Sequence, residues 1–152
     1  MQFSTLLIST AALLPSALAC LNVNITYTLQ TASSESNIYA QFLDNGRVTC
    51  YYNQPNPATG AKIVYALNNN PNNVAVVNDT YQQCVAGYWA TFQVDLSDTK
   101  DKKGNNKIES YSYLDQHGQA QSYTGISLGS RITTAAAGNN PEVWTWLANP
   151  FC

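Results

Sequence analysis

Charge is scarce in this chain. Of 152 residues only 11% are Asp, Glu, Lys or Arg, and seven basic against nine acidic residues leave a formal net charge of −2. No basic excess is present to neutralise phosphates, so nucleic acid is not expected among its partners. Histidine occurs once, as His117, which removes mechanisms that need two imidazoles. Closely spaced cysteines are missing as well. Cys20, Cys50, Cys84 and Cys152 stand 30, 34 and 68 residues apart, whereas zinc sites draw on pairs such as C-x-x-C. Neither a metal nor a cofactor is expected. Nowhere does an apolar stripe at i, i+3, i+4 spacing run for a dozen residues, so helices are minor. Beyond the N-terminus no segment approaches the ~20 apolar residues of a bilayer crossing. An internal repeat or a dividing linker is also lacking.

What is present is 45% apolar residues, ten Tyr and three Trp. That content at so small a net charge excludes a disordered chain and favours a single β-rich extracellular domain. The run from Leu6 to Leu14 is followed by Pro15 and by Ala17 and Ala19, the layout of a signal peptide. Residues 1–19 are therefore read as a removed signal and residues 20–152 as one secreted domain. A bacterial lipid anchor on Cys20 would need an aliphatic residue where Ala17 stands, so no membrane anchor is expected. Four cysteines in an oxidising compartment imply two disulfides. Of the three connectivities, Cys50–Cys84 inside the domain with Cys20–Cys152 tying the ends is favoured; the alternative is an intermolecular bridge at Cys20. Sequons at Asn24-Ile25-Thr26 and Asn78-Asp79-Thr80 offer glycosylation sites at Asn24 and Asn78 in a eukaryotic host.

Period-two alternation recurs along the chain. Val23, Ile25, Tyr27 and Leu29 alternate with Asn24, Thr26, Thr28 and Gln30, which puts Asn24 on the polar face of a strand. Residues 38–42 and 48–52 flank Asn45-Gly46, a strong hairpin signal, with Asp44 opposite Arg47 and Gln41 opposite Cys50. Residues 31–37 form a loop or one short helix. Lys62 to Leu67 is apolar on both faces, as suits a buried strand. An Asn-rich turn at residues 68–73 precedes a short apolar run at 74–77. Tyr88, Ala90, Phe92, Val94 and Leu96 share one face of the next strand. A polar loop then leads to a second hairpin around His117-Gly118, and a last strand spans 143–147. Seven or eight short strands predict an all-β, disulfide-stapled sandwich or barrel with at most one short helix.

Several constellations carry possible chemistry. His117 with Asp115 and nearby Ser110, Ser112 and Ser122 has the composition of a Ser-His-Asp set, but a His-Gly turn is exposed and reads as ordinary turn chemistry. Asp95, Asp98 and Asp101 fail as a calcium loop because Lys100, Lys102 and Lys103 occupy ligand positions; a solvated loop is expected. Glu35, Glu109 and Glu142 fall on unrelated segments and make no glycosidase pair. Trp144 and Trp146 are either core or, if exposed, a platform for sugar rings that Trp89 and the tyrosines would extend.

The opening Met1-Gln2-Phe3-Ser4-Thr5-Leu6-Leu7, Cys20 at the cleavage point, Asp44-Asn45-Gly46 followed by Cys50, the stretch Cys84-Val85-Ala86-Gly87-Tyr88-Trp89-Ala90 and the closing Cys152 together resemble the small secreted cysteine-containing proteins of filamentous ascomycete fungi, a class of effector candidates. That resemblance implies a non-enzymatic extracellular role toward a host but gives no target; a host protein or a cell-wall glycan is the expected partner. It brings no functional residues. Ile132-Thr133-Thr134 leading to Gly138-Asn139-Asn140 is similar to the C-terminal segment of fungal guanyl-specific ribonucleases, with Thr134 where that family places its catalytic histidine.

Overall fold

A computed structural model of the protein describes residues 20–32, 35–57, 62–67, 84–96 and 106–150. Residues 1–19, Asn78, the Asn-rich turn with the apolar run after it, the acidic and lysine-bearing loop 97–105 and Cys152 lie outside the described residues. Nine strands are described: β1 (Leu21–Thr28), β2 (Asn37–Asp44), β3 (Arg47–Pro55), β4 (Lys62–Leu67), β5 (Tyr88–Asp95), β6 (Lys107–Leu114), β7 (Ala120–Ser127), β8 (Ile132–Thr134) and β9 (Val143–Ala148). They build two antiparallel sheets in the orders β3-β2-β1-β9-β8 and β4-β5-β6-β7. The sheets do not close on each other, so of the two expected architectures the sandwich is the one formed.

Alternation explains why two sheets face one another. In β1 the apolar Leu21, Val23, Ile25 and Tyr27 are buried while Asn22, Asn24, Thr26 and Thr28 are not. In β2 the buried set is Ile38, Ala40 and Phe42, continued by Asp44. Trp144, Trp146 and Ala148 of β9 extend the same inner surface. The four-stranded sheet answers with Tyr65, Leu67, Ala90, Phe92, Val94, Ile108 and Tyr111. Phe42 lies between the layers, its ring 6.0 Å from Phe92 and stacked at 6.0 Å on Tyr111. Each large side chain so withdrawn from water contributes about 1.5–3 kcal/mol.

The first hairpin turns at Asn45 (φ 50°) and Gly46 (φ 77°), the paired positive angles that favour Asn-Gly in two-residue turns. Asn45 also clasps the start of the domain: its N–H donates to the Cys20 carbonyl at 3.0 Å, and the Cys20 N–H donates to its Oδ1 at 3.2 Å. Asp44 pairs with Arg47 as the turn dictates, and Leu43 with Val48. The ladder then slips by one residue at Thr49, so that Phe42, not Gln41, faces Cys50. An uninterrupted ladder would have sent Cys50 to the outer surface. The bulge turns it inward instead, because side chains alternate and one extra residue inverts every position that follows. Thr49 itself is buried, donating to the Phe42 carbonyl at 3.3 Å and sharing a 2.9 Å hydrogen bond with the Tyr111 hydroxyl across the core. A second slip lies between Thr91 and Phe92, opposite β6. On the far side of β6, Gly125 adopts φ 65° in β7.

Turned inward, Cys50 bonds Cys84 with a Cα–Cα distance of 4.0 Å, the expected pairing. Both sulfurs are buried, and the bridge ties edge strand β3 to the segment that enters β5, hence one sheet to the other. Cys20 is disulfide-bonded as well. The described side chains of β4, Tyr65 and Leu67, are buried as its apolar character suggested, and among the described residues the strand stands at the end of its sheet beside β5. Cover for its buried Tyr65 comes from the opposite layer, where the Tyr52 ring lies 4.7 Å away. The short β8, not foreseen, adds an outer edge to the five-stranded sheet.

Candidate binding face

The three tryptophans do not form a platform. Trp144 and Trp146 point from β9 into the core with 6% and 1% of their surface exposed, edge-on to each other at 6.4 Å. Trp144 is held on every side: Tyr27 lies 5.4 Å from its ring, the Arg131 guanidinium sits 4.2 Å from the ring centroid, and its Nε1–H donates to Glu142 Oε1 at 2.6 Å. Trp89 lies on the other sheet, half-buried on the outward face of β5 and paired with Ser112. Their roles therefore divide, two packing the core and one standing apart.

The composition of a Ser-His-Asp set is likewise not assembled. Asp115 Oδ1 accepts from the backbone N–H groups of His117 at 2.8 Å and Gln119 at 2.9 Å, while its Oδ2 accepts from Gln121 at 3.1 Å. Those backbone donors are the main cause that lowers its pKa below the usual carboxylate value. The carboxylate thus closes the turn, and the imidazole contacts Gln116 at 3.2 Å. Ser112 and Ser122 hydrogen-bond to each other at 2.9 Å. Glu109 pairs with Lys107 at 3.0 Å, Glu142 holds Trp144, and Glu35 stands before β2, so the three glutamates are dispersed. Thr134 is the last residue of β8, paired with Val143. Among the described residues no group of three or more His, Cys, Asp or Glu is placed to hold a metal ion, and no helix is long and apolar enough to cross a membrane.

A different surface gathers functional groups. The polar sides of β1, β2 and β3 and the outward side of β9 share the outer face of the five-stranded sheet. Cross-strand register fixes its rows: Asn53, Tyr39, Thr26, Thr145 and Ile132 form one, and Tyr51, Gln41, Asn24 and Leu147 the next. None of these side chains carries a charge. Tyr39 sits at the centre with the Tyr51 ring edge-on at 5.1 Å and 77°. Burial, with Tyr51 as a smaller contributor, raises the Tyr39 hydroxyl pKa, so the phenol stays neutral at physiological pH. Around it, the side-chain oxygens Oδ1 of Asn24, Asn37 and Asn53 are each buried and reach no donor in the protein. Leu147 and Ile132, 43% and 53% exposed, complete the face toward β8.

No family model, curated protein or solved structure matches this chain. Geometry alone therefore defines what the face can do. It offers an aromatic pair and amide and hydroxyl side chains on the outer face of a sheet, with no charge in its two central rows, a set suited to an uncharged ligand rich in hydroxyl groups. Sequence reasoning put Trp144 and Trp146 at the head of that role with the tyrosines as an extension, and did not single out Tyr39 and Tyr51. The available signal was the alternation of β2, which already sets Asn37, Tyr39 and Gln41 on one side; Tyr51 joins them only because of the Thr49 bulge.

Proposed function

We propose that the protein is exported and acts outside the cell by binding rather than catalysis, in the manner of the effector candidates its sequence resembles, and that the outer face of the five-stranded sheet is its binding surface. The ligand class is a neutral glycan of a cell surface or wall. The observation that carries this reading is Tyr39, with Tyr51 edge-on beside it, set in charge-free rows of amide and hydroxyl side chains. Sugar rings present apolar faces to an aromatic ring and hydroxyl groups to flanking amides and hydroxyls. The charge-free rows favour a neutral polymer over an acidic one, and the engagement of Asp115 by the turn backbone supports binding over hydrolysis.

Calorimetric titration with cellohexaose, chitohexaose and a β-1,3-glucan hexamer tests the assignment. Tyr39→Ala and Tyr51→Ala should each weaken binding of the recognised oligosaccharide by about tenfold or more, equivalent to ~1.4 kcal/mol, with the fold intact by circular dichroism. Trp89→Phe should bind as the parent does. Equal binding by Tyr39→Ala, or preference for an acidic oligogalacturonide, would overturn the reading.

A further inference from the structure

Asn24 stands in the middle of the same face. Its cross-strand partners are Gln41 on β2 and Leu147 on β9. Tyr39, facing Thr26, is its diagonal neighbour, a separation of about 7–8 Å in an antiparallel sheet. Asn24 is also the acceptor of the sequon Asn24-Ile25-Thr26, whose middle residue is buried and whose Thr26 faces outward with it. Two of the three exposed large apolar side chains of the described residues, Leu147 and Ile132, belong to this face. Leu147 lies directly beside the sequon asparagine, as its cross-strand partner.

We infer that an N-linked glycan on Asn24 is an occupant of this face supplied by the chain itself, its first sugars lying over Tyr39 and Leu147, so that glycosylation governs access to the binding surface. This inference rests on the export reading, since attachment takes place in a secretory pathway. In the attachment step, Asn24 Nδ2 displaces the pyrophosphate from the anomeric carbon of a lipid-linked oligosaccharide. One C–N bond forms as one C–O bond breaks, and the amide proton leaves with the lipid pyrophosphate. The attached sugars reach Tyr39 directly and meet it at an effective concentration on the order of millimolar. A free oligosaccharide that binds no tighter than this is displaced. The bare protein is then the open form and the glycan-bearing protein the closed one.

The experiment compares the full chain, carrying Asn78→Gln to leave one sequon, secreted from yeast and exported to a bacterial periplasm that does not glycosylate. Intact mass reports the N-terminus and Asn24 occupancy, NMR the N-acetyl methyl protons of the attached core, and calorimetry the binding of chitohexaose and cellohexaose. Expected are an occupied Asn24, methyl resonances shifted upfield by the Tyr39 ring current, loss of that shift in Tyr39→Ala, and binding about tenfold weaker than in the bare protein. An empty Asn24 in a correctly processed secreted chain overturns the inference. So does an occupied one with unshifted methyls and undiminished binding. If neither form binds an oligosaccharide but the Tyr39-dependent shift is present, the binding reading fails while the glycan's place on the face stands.

Discussion

Replacing Thr49 with Val should destabilise the protein more than replacing its partner Tyr111 with Phe, although Val preserves the shape of the side chain. The Tyr111 hydroxyl lies 2.9 Å from Thr49 Oγ1, which in turn lies 3.3 Å from the Phe42 carbonyl, and both side chains are essentially inaccessible to water. Thr49 donates to the carbonyl and accepts from the phenol. Tyr111→Phe removes one hydrogen bond but leaves Thr49 its acceptor at Phe42, a loss of about 1 kcal/mol. Thr49→Val strands the Tyr111 hydroxyl and deprives the carbonyl of its side-chain donor, a loss of about 2 kcal/mol or more. The double variant no longer contains a stranded hydroxyl, so it should be more stable than the sum of the two losses by about 1 kcal/mol. For a domain of this size each kcal/mol corresponds to about 3–5 °C in Tm. Thermal and urea unfolding with the disulfides intact would read these differences. Additive losses, or a larger loss for Tyr111→Phe, would show that Thr49 does not link the two layers.

Other outcomes follow from the same core and surface. Burial is the leading cause that raises the pKa of Tyr27, Tyr39, Tyr65, Tyr88, Tyr111 and Tyr113 above 10.0, with Tyr113 pushed up to about 12. The folded protein holds phenolic protons that the unfolded chain releases, so stability is full below about pH 10 and falls as pH rises beyond it. Phenolate absorbance should lag in the native protein relative to the urea-unfolded chain, and identical titration curves would refute the burial of these rings. Replacing Cys50 and Cys84 together with Ala should cost about 4 kcal/mol in the chain-entropy model, read as a shift in the urea midpoint. Iodide should quench only the share of fluorescence that comes from Trp89, and Trp89→Phe should leave the remainder protected; efficient quenching in that variant would place Trp144 or Trp146 at the surface.

The strands were legible in the sequence because inward and outward residues alternate without interruption in β1, β2 and β9, and Asn45-Gly46 marked the first turn unambiguously. Register was not. A turn fixes pairing only as far as the first irregularity, and nothing about Thr49 as a residue type distinguishes a bulge from a regular ladder position. That single slip decided both the facing of Cys50 and the facing of Tyr51, so the Cys50–Cys84 bridge was expected without its geometry and the aromatic pair on the surface was missed. The tryptophans show the complementary weakness. Their spacing correctly put Trp144 and Trp146 on one side of a strand, but which side faces a second sheet depends on how distant segments assemble. The place of β4 at the end of its sheet among the described residues was hidden for the same reason, since apolar faces report burial and not the order of strands.

The bulge at Thr49 makes the first hairpin respond unequally to loss and gain of a residue. Deleting that one residue would leave a continuous ladder from the turn to Cys50, with Phe42 still opposite Cys50 and Leu43 opposite Val48. Inserting a residue beyond it would invert the remainder of β3, exchanging Tyr51 for Tyr52 at the surface and in the core. An insertion in β3 thus remodels the outer face by rearranging existing side chains, whereas loss of the buried Thr49 leaves the facing of every other residue as it is.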